Sequence, residues 1–134
     1  MEKEIQQIYI GALHARQSAY APYSKFSVGA ALRNKQGTVY LGANVENASY
    51  GLTVCAERNA VMAAVISGDF DWDMIGIVSS GQAPPCGMCL QVLAEFTKDI
   101  PIYLFSPDSV EPYKLVALSD LLPLGFTKDL LLSR

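Results

Sequence analysis

Apolar positions recur at Ile5, Ile8, Leu13 and from Ala15 to Ala19, roughly along one helical face. This spacing predicts a first helix from Glu2 to Tyr20. Ala21-Pro22-Tyr23-Ser24 ends it, because proline cannot continue a helix. Phe26 to Leu32 and Thr38 to Ala43 read as strands around the turn Asn34-Lys35-Gln36-Gly37, a hairpin. An Asn-rich loop, Asn44 to Gly51, leads to an alanine-rich helix from near Cys55 to Ser67, stopped by Gly68. Met74 to Ser79 is a short continuous apolar run of the buried-strand kind. Pro84-Pro85 precede a third helix, Cys86 to Thr97. Ile100 to Phe105 is a further buried strand, and a weaker one lies near Tyr113 to Val116. Leu118 to Leu122 and the tail are short and apolar.

Strands alternating with helices predict a partly parallel sheet with helices on its faces. The expected fold is α/β: a three-layer α/β/α sandwich around a mixed, mostly parallel five-stranded sheet with an antiparallel N-terminal hairpin. The 134 residues suit one domain, 1–134. Half of the chain, 51%, is apolar, so a core forms without a metal to hold it. So much apolar surface with so little charge also fits contacts between subunits.

Charged residues are sparse at 17% and the formal net charge is −3, with Lys and Arg scattered. That excludes the electrostatic footprint of a nucleic-acid binder and favours a small, weakly charged partner. Met-Glu-Lys-Glu has no apolar stretch behind a basic start, and no apolar run is long enough for a bilayer. A cytoplasmic location is expected, where three cysteines do not form a disulfide framework.

The cysteines therefore need another role. Cys86-Gly87-Met88-Cys89 opens the third helix, and positions i and i+3 share a helical face, so both thiols reach one ion. Alone, this CxxC fits a redox pair or half of a structural zinc site as well. Cys55, at the start of the second helix, supplies a third sulfur. The single histidine, His14, lies far away in sequence. Structural zinc sites close with four protein ligands, whereas catalytic ones keep three and leave a position for water. Three ligands favour the catalytic kind; a fourth from His14 or an Asp is the rival.

Three thiolates leave the ion's complex negatively charged, which weakens it as a Lewis acid. Helix N-termini favour negative charge at all three thiols, and Arg58 is placed to donate to them. Glu57, two residues past Cys55, is a candidate general acid/base beside the ion's water. Read alone, it is equally a glutamate that complements a helix dipole, and Arg58 an exposed helical arginine.

Cys55-Ala56-Glu57 followed by Pro85-Cys86-Gly87-Met88-Cys89 resembles the signature of the zinc-dependent deaminases. Within that superfamily the chain is similar to the short, homotetrameric cytidine deaminases. Tyr23 to Ala31 resembles their first strand and the loop before it. Asn44-Val45-Glu46-Asn47-Ala48-Ser49-Tyr50-Gly51 resembles their ribose-binding loop, and Leu121-Leu122-Pro123 with Phe126 their C-terminal segment.

The resemblance implies one Zn²⁺ per chain on Cys55, Cys86 and Cys89, with water as nucleophile and Glu57 as proton carrier. Glu57 would also contact the pyrimidine N3. It implies that Asn44 and Glu46 bond the ribose hydroxyls, Phe26 packs on the nucleoside and Ala56 offers its backbone N–H. Tyr50 and Phe126 would reach into a neighbouring subunit's site in a homotetramer. Without the resemblance, Phe26 reads as core, Asn44 and Glu46 as turn caps, and Tyr50 and Phe126 as apolar surface.

The implied activity is hydrolytic deamination of cytidine and 2′-deoxycytidine in pyrimidine salvage, with nucleosides preferred over free bases. The alternatives are a deaminase of another substrate such as blasticidin S, and a non-catalytic zinc- or nucleoside-binding relative. One departure stands out: Leu90 occupies the place after Cys89 where the family usually has Arg. On that reading Leu90→Arg raises turnover or lowers the pH at which activity appears.

Overall fold

The computed structural model describes residues 2–133. Helix α1 (Glu2–Arg16) carries Glu2 and Glu4 in its first turn and His14 and Arg16 in its last, charges that complement the helix dipole. It stops four residues before the expected Tyr20, because Gln17, Ser18 and Ala19 donate to carbonyls only three residues back. Tyr20 is then taken up in a bridge to Val45.

Strands β1 (Gly29–Asn34) and β2 (Val39–Ala43) form the hairpin. A short 3₁₀ turn, Tyr50–Leu52, precedes α2 (Ala56–Ile66). Gly68, at φ 76°, ends α2. Its N–H donates to Val65 and that of Asp69 to Ala64, the paired bonds of a Schellman cap. Next come β3 (Trp72–Val78), α3 (Gly87–Phe96), β4 (Pro101–Ser106) and β5 (Ser109–Ala117). Two short helices, α4 (Leu118–Leu121) and α5 (Lys128–Leu132), complete the chain.

The five strands lie in the order β2-β1-β3-β4-β5. The sheet is mixed and carries the antiparallel hairpin, as expected. It is not mostly parallel: only β3 and β4 run parallel, while β2–β1, β1–β3 and β4–β5 are antiparallel. The physical reason is connection length. Pro107 and Asp108 alone link β4 to β5, and so short a link makes a hairpin; a parallel return needs a crossover.

Alternate side chains point to opposite faces of the sheet. Ile5, Ile8, Tyr9 and Ala12 of α1 pack with Ala31, Met74, Val78, Tyr103 and Phe105 on one face. Ala56, Ala60, Val61 and Ala64 of α2 and Leu90 and Leu93 of α3 pack with Ala30, Leu32, Ile75, Ile77, Ile102 and Leu104 on the other. These are the three layers. At Gly42 there is no room for a side chain unless α2 shifts: a Cβ there would stand 2.2 Å from the Ala56 carbonyl oxygen and 2.4 Å from the Ala60 nitrogen. Gly42 thus lets β2 press against the start of α2, which fixes where Cys55 and Glu57 stand. Among the described residues no helix is long and apolar enough to cross a membrane.

Candidate active site

Helices α2 and α3 begin at the same place. Cys55 and Cys86 are the residues immediately before them, each in extended backbone, and Cys89 sits in the first turn of α3. The Cys55 and Cys86 sulfurs are 3.8 Å apart and those of Cys86 and Cys89 3.6 Å. All three lie within 4.8 Å of one another. A tetrahedral zinc with Zn–S bonds of about 2.3 Å has sulfur–sulfur edges of about 3.8 Å, so the donor set fits that ion. Among the described residues no fourth His, Cys, Asp or Glu brings a ligand atom within reach of all three. His14 belongs to α1, on the opposite face of the sheet.

Electrostatics set Cys55 and Cys89 apart. A hydrogen bond from Cys89, and after it one from Arg58, brings the Cys55 thiol down to about 5. Cys89, which gives that bond and is buried, is pushed up. Arg58 Nη2 donates to Cys55 Sγ at 3.5 Å and to the Thr53 carbonyl at 3.2 Å. The bond to Cys55 strengthens the guanidinium's hold on its proton. Glu57 is buried in the first turn of α2. Burial, reinforced by the negative Cys55, raises its carboxyl to about 7. Ala56, fully buried, is the first residue of α2, so its N–H has no acceptor within the helix.

A cavity of about 370 Å³ opens beside this cluster, lined by Tyr23, Ser24, Glu46, Tyr50 and Thr53. Thr53 links the two, because its carbonyl is held by the same arginine that holds Cys55. Glu46 is buried although its neighbours are exposed. Its Oε1 accepts the N–H groups of Tyr23 at 2.9 Å and Ser24 at 3.1 Å, and its Oε2 accepts the Ser24 hydroxyl. The hydroxyl bond, with the two amides, holds the Glu46 carboxyl below the usual carboxylate range. Asn44 donates from Nδ2 to the Phe26 carbonyl at 2.8 Å and accepts the Val28 N–H at 2.9 Å. These two bonds stand in for a rung of sheet, which is why β1 begins at Gly29 and not at Phe26.

Tyr50 and Phe126, expected to serve a neighbouring site, are 75% and 46% exposed. The Tyr50 ring meets that of Tyr23 edge-on, with centroids 6.0 Å apart. Phe126 is anchored through its backbone: the Gln91 side chain donates to its carbonyl and accepts its N–H at 3.4 Å. Sequence reasoning assigned no role to Ser24, Thr53 or Gln91; each acts through contacts between residues distant in the chain. Leu90 is 7% exposed and packs in the core between α2, α3 and the sheet. A larger cavity, of about 590 Å³, lies against α4 and α5 and is lined by none of the sequence-predicted site residues.

The chain matches the family described as the cytidine and deoxycytidylate deaminase zinc-binding region over residues 2–104. It is 45% identical to the cytidine deaminase of Halalkalibacterium halodurans, over 92% of this chain and 95% of that one. It is 39% identical to that of Sporosarcina psychrophila, over 94% and 93%. Among solved structures, the cytidine deaminase of Burkholderia pseudomallei superposes with a TM-score of 0.84 at 40% identity, over 90% of this chain and 98% of that one.

Proposed function

This chain belongs to the cytidine and deoxycytidylate deaminase family, and on that premise we propose how it hydrolyses cytidine to uridine and ammonia. The observation that carries the mechanism is a trio of sulfurs at tetrahedral spacing with a buried carboxyl at their side and, among the described residues, no fourth ligand.

Cys55, Cys86 and Cys89 hold one zinc per chain. Bound there, zinc would supply Lewis acidity to make water a nucleophile near neutral pH. Glu57 moves the protons. Its carboxylate takes one from the attacking water and gives one to N3 of the pyrimidine. With the hydroxyl now bonded to C4, Glu57 takes that hydroxyl's proton and delivers it to the amine; the C4–N bond breaks, ammonia leaves, and the C4–O bond becomes the carbonyl of uridine. Burial of the Glu57 carboxyl favours its protonated form, so it can hold a proton between the two transfers. Arg58 holds Cys55 in place and offsets the thiolate charge. The Ala56 N–H faces the base.

The sugar is read by the 370 Å³ cavity. Among the described residues Glu46 keeps one acceptor position unused, Asn44 one donor and one acceptor position, and Phe26 packs on the nucleoside. Buried groups waiting for ribose hydroxyls disfavour the free base, because cytosine leaves them unpaired. The same pocket accepts 2′-deoxycytidine, which suits pyrimidine salvage. The exposed Tyr50 and Phe126 fit a homotetramer in which neighbouring copies complete each site.

The test combines three measurements. Purified protein with cytidine should release uridine and ammonia in equal amounts, with one zinc per chain. Glu57→Ala should keep its zinc and fold yet lose deamination by at least about a hundredfold. A Glu57→Ala variant that still turns over cytidine at the parental rate overturns the mechanism.

A further inference from the structure

Ser24 joins two groups that stand at the sugar. Its hydroxyl donates to Glu46 Oε2 and at the same time accepts the Phe26 N–H at 3.0 Å. Its own N–H donates to Glu46 Oε1, which also takes the Tyr23 N–H. A carboxylate has about four lone-pair positions. On Glu46 both positions of Oε1 are filled and one of Oε2 is filled, so one remains, on Oε2, beside the cavity that Ser24 and Glu46 line together. The next residue, Lys25, has φ 60°, a left-handed conformation uncommon for a side-chain-bearing residue. Such a turn persists where surrounding bonds hold it, and the Ser24 hydroxyl spans it from Glu46 to Phe26.

We propose that Ser24 is a positioning residue for substrate: its hydroxyl decides which oxygen of Glu46 meets the ribose. A serine is suited to this, being one short group that donates and accepts at once. This rests on the reading of the cavity as the sugar site.

The experiment compares zinc-loaded parent, Ser24→Ala, Ser24→Thr and Glu46→Ala with two substrates, cytidine and 2′,3′-dideoxycytidine. For cytidine, Ser24→Ala should raise KM about tenfold, the size of one hydrogen bond to a charged group, and alter kcat by less than about twofold. A rise in KM with kcat kept is the mark of lost binding. With 2′,3′-dideoxycytidine, which lacks the hydroxyls that Glu46 would meet, the same variant should match the parent within about twofold. Ser24→Thr keeps the hydroxyl at an exposed position and should restore most of the cytidine KM. Equal losses by Ser24→Ala on both substrates, or no rescue by threonine, overturn the proposal as general loosening of the loop. If Glu46→Ala itself fails to reduce discrimination between the two nucleosides, the sugar-site reading has failed and takes the proposal with it.

Discussion

Arg58 Nη2 lies 3.5 Å from the Cys55 sulfur and 3.2 Å from the Thr53 carbonyl. One guanidinium nitrogen therefore ties the loop lining the cavity to a thiol of the metal cluster. With Leu90 in the core, no other Lys or Arg among the described residues donates to these sulfurs. Arg58→Gln keeps a donor but removes the charge. We expect zinc affinity to fall by about tenfold or more, as for other losses of a group that orients a metal ligand. Competition against a chelator of known affinity reads this directly. Unchanged zinc affinity would assign Arg58 to loop anchoring alone.

Gly42→Ala tests how the start of α2 is placed. The added methyl meets backbone atoms of Ala56 and Ala60, which cannot swing away as a side chain would. The helix must shift, at a cost of about 1–3 kcal/mol for overpacking. Thermal unfolding should show a melting temperature lower by several degrees, and zinc should be released more readily. A variant with parental melting and metal retention would show that β2 and α2 can separate without loss.

Leu90→Arg, expected from the sequence to improve catalysis, has the opposite prospect in the folded chain. The position is 7% exposed and surrounded by apolar side chains. A guanidinium there is desolvated without a partner. Lower melting temperature and no gain in kcat are the expected results, measured by calorimetry and steady-state kinetics. A faster and equally stable variant would show that the arginine reaches the sulfurs.

Glu46 supplies a pH dependence. Its folded-state pKa lies below the ordinary 4.5, first through the Ser24 hydroxyl. A depressed carboxylate stabilises the fold fully above its unfolded-state pKa, and that contribution disappears as pH falls through the lower folded value. Glu46→Gln should therefore melt below the parent at neutral pH, with the difference narrowing as pH is taken below 4.5. A difference that stays constant down to pH of about 3 would place the effect in packing and not in charge.

The convergence of the three cysteines and the place of Glu57 at a helix start could be read because the information is local. A CxxC at a helix start and a Cys-Ala-Glu at another each place their groups within one turn, and the ligand count did the rest. The alternation of strands and helices likewise carried the layers. What escaped was non-local. The Asn44 side chain bonds the Phe26 carbonyl and the Val28 N–H where a neighbouring strand would otherwise pair, so a run that reads as strand is loop. Strand directions depended on the two-residue link after β4, inside a stretch that reads as two separate strands. Leu90 reads as a neighbour of Cys89, yet one step along a helix turns a side chain by about 100°, away from the metal and into the core.

Cys55 and Cys86 stand 31 residues apart in the chain, each immediately before the first turn of its own helix. An ion across them closes a ring that encloses α2 and the central strand β3, and so acts as a removable cross-link. By the chain-entropy account used for disulfides, a closure of that length is worth about 3–4 kcal/mol against the unfolded state. Metal supply would then set the lifetime of the molecule as well as its rate: a chain starved of zinc would be idle and, at the same time, easier prey for proteases.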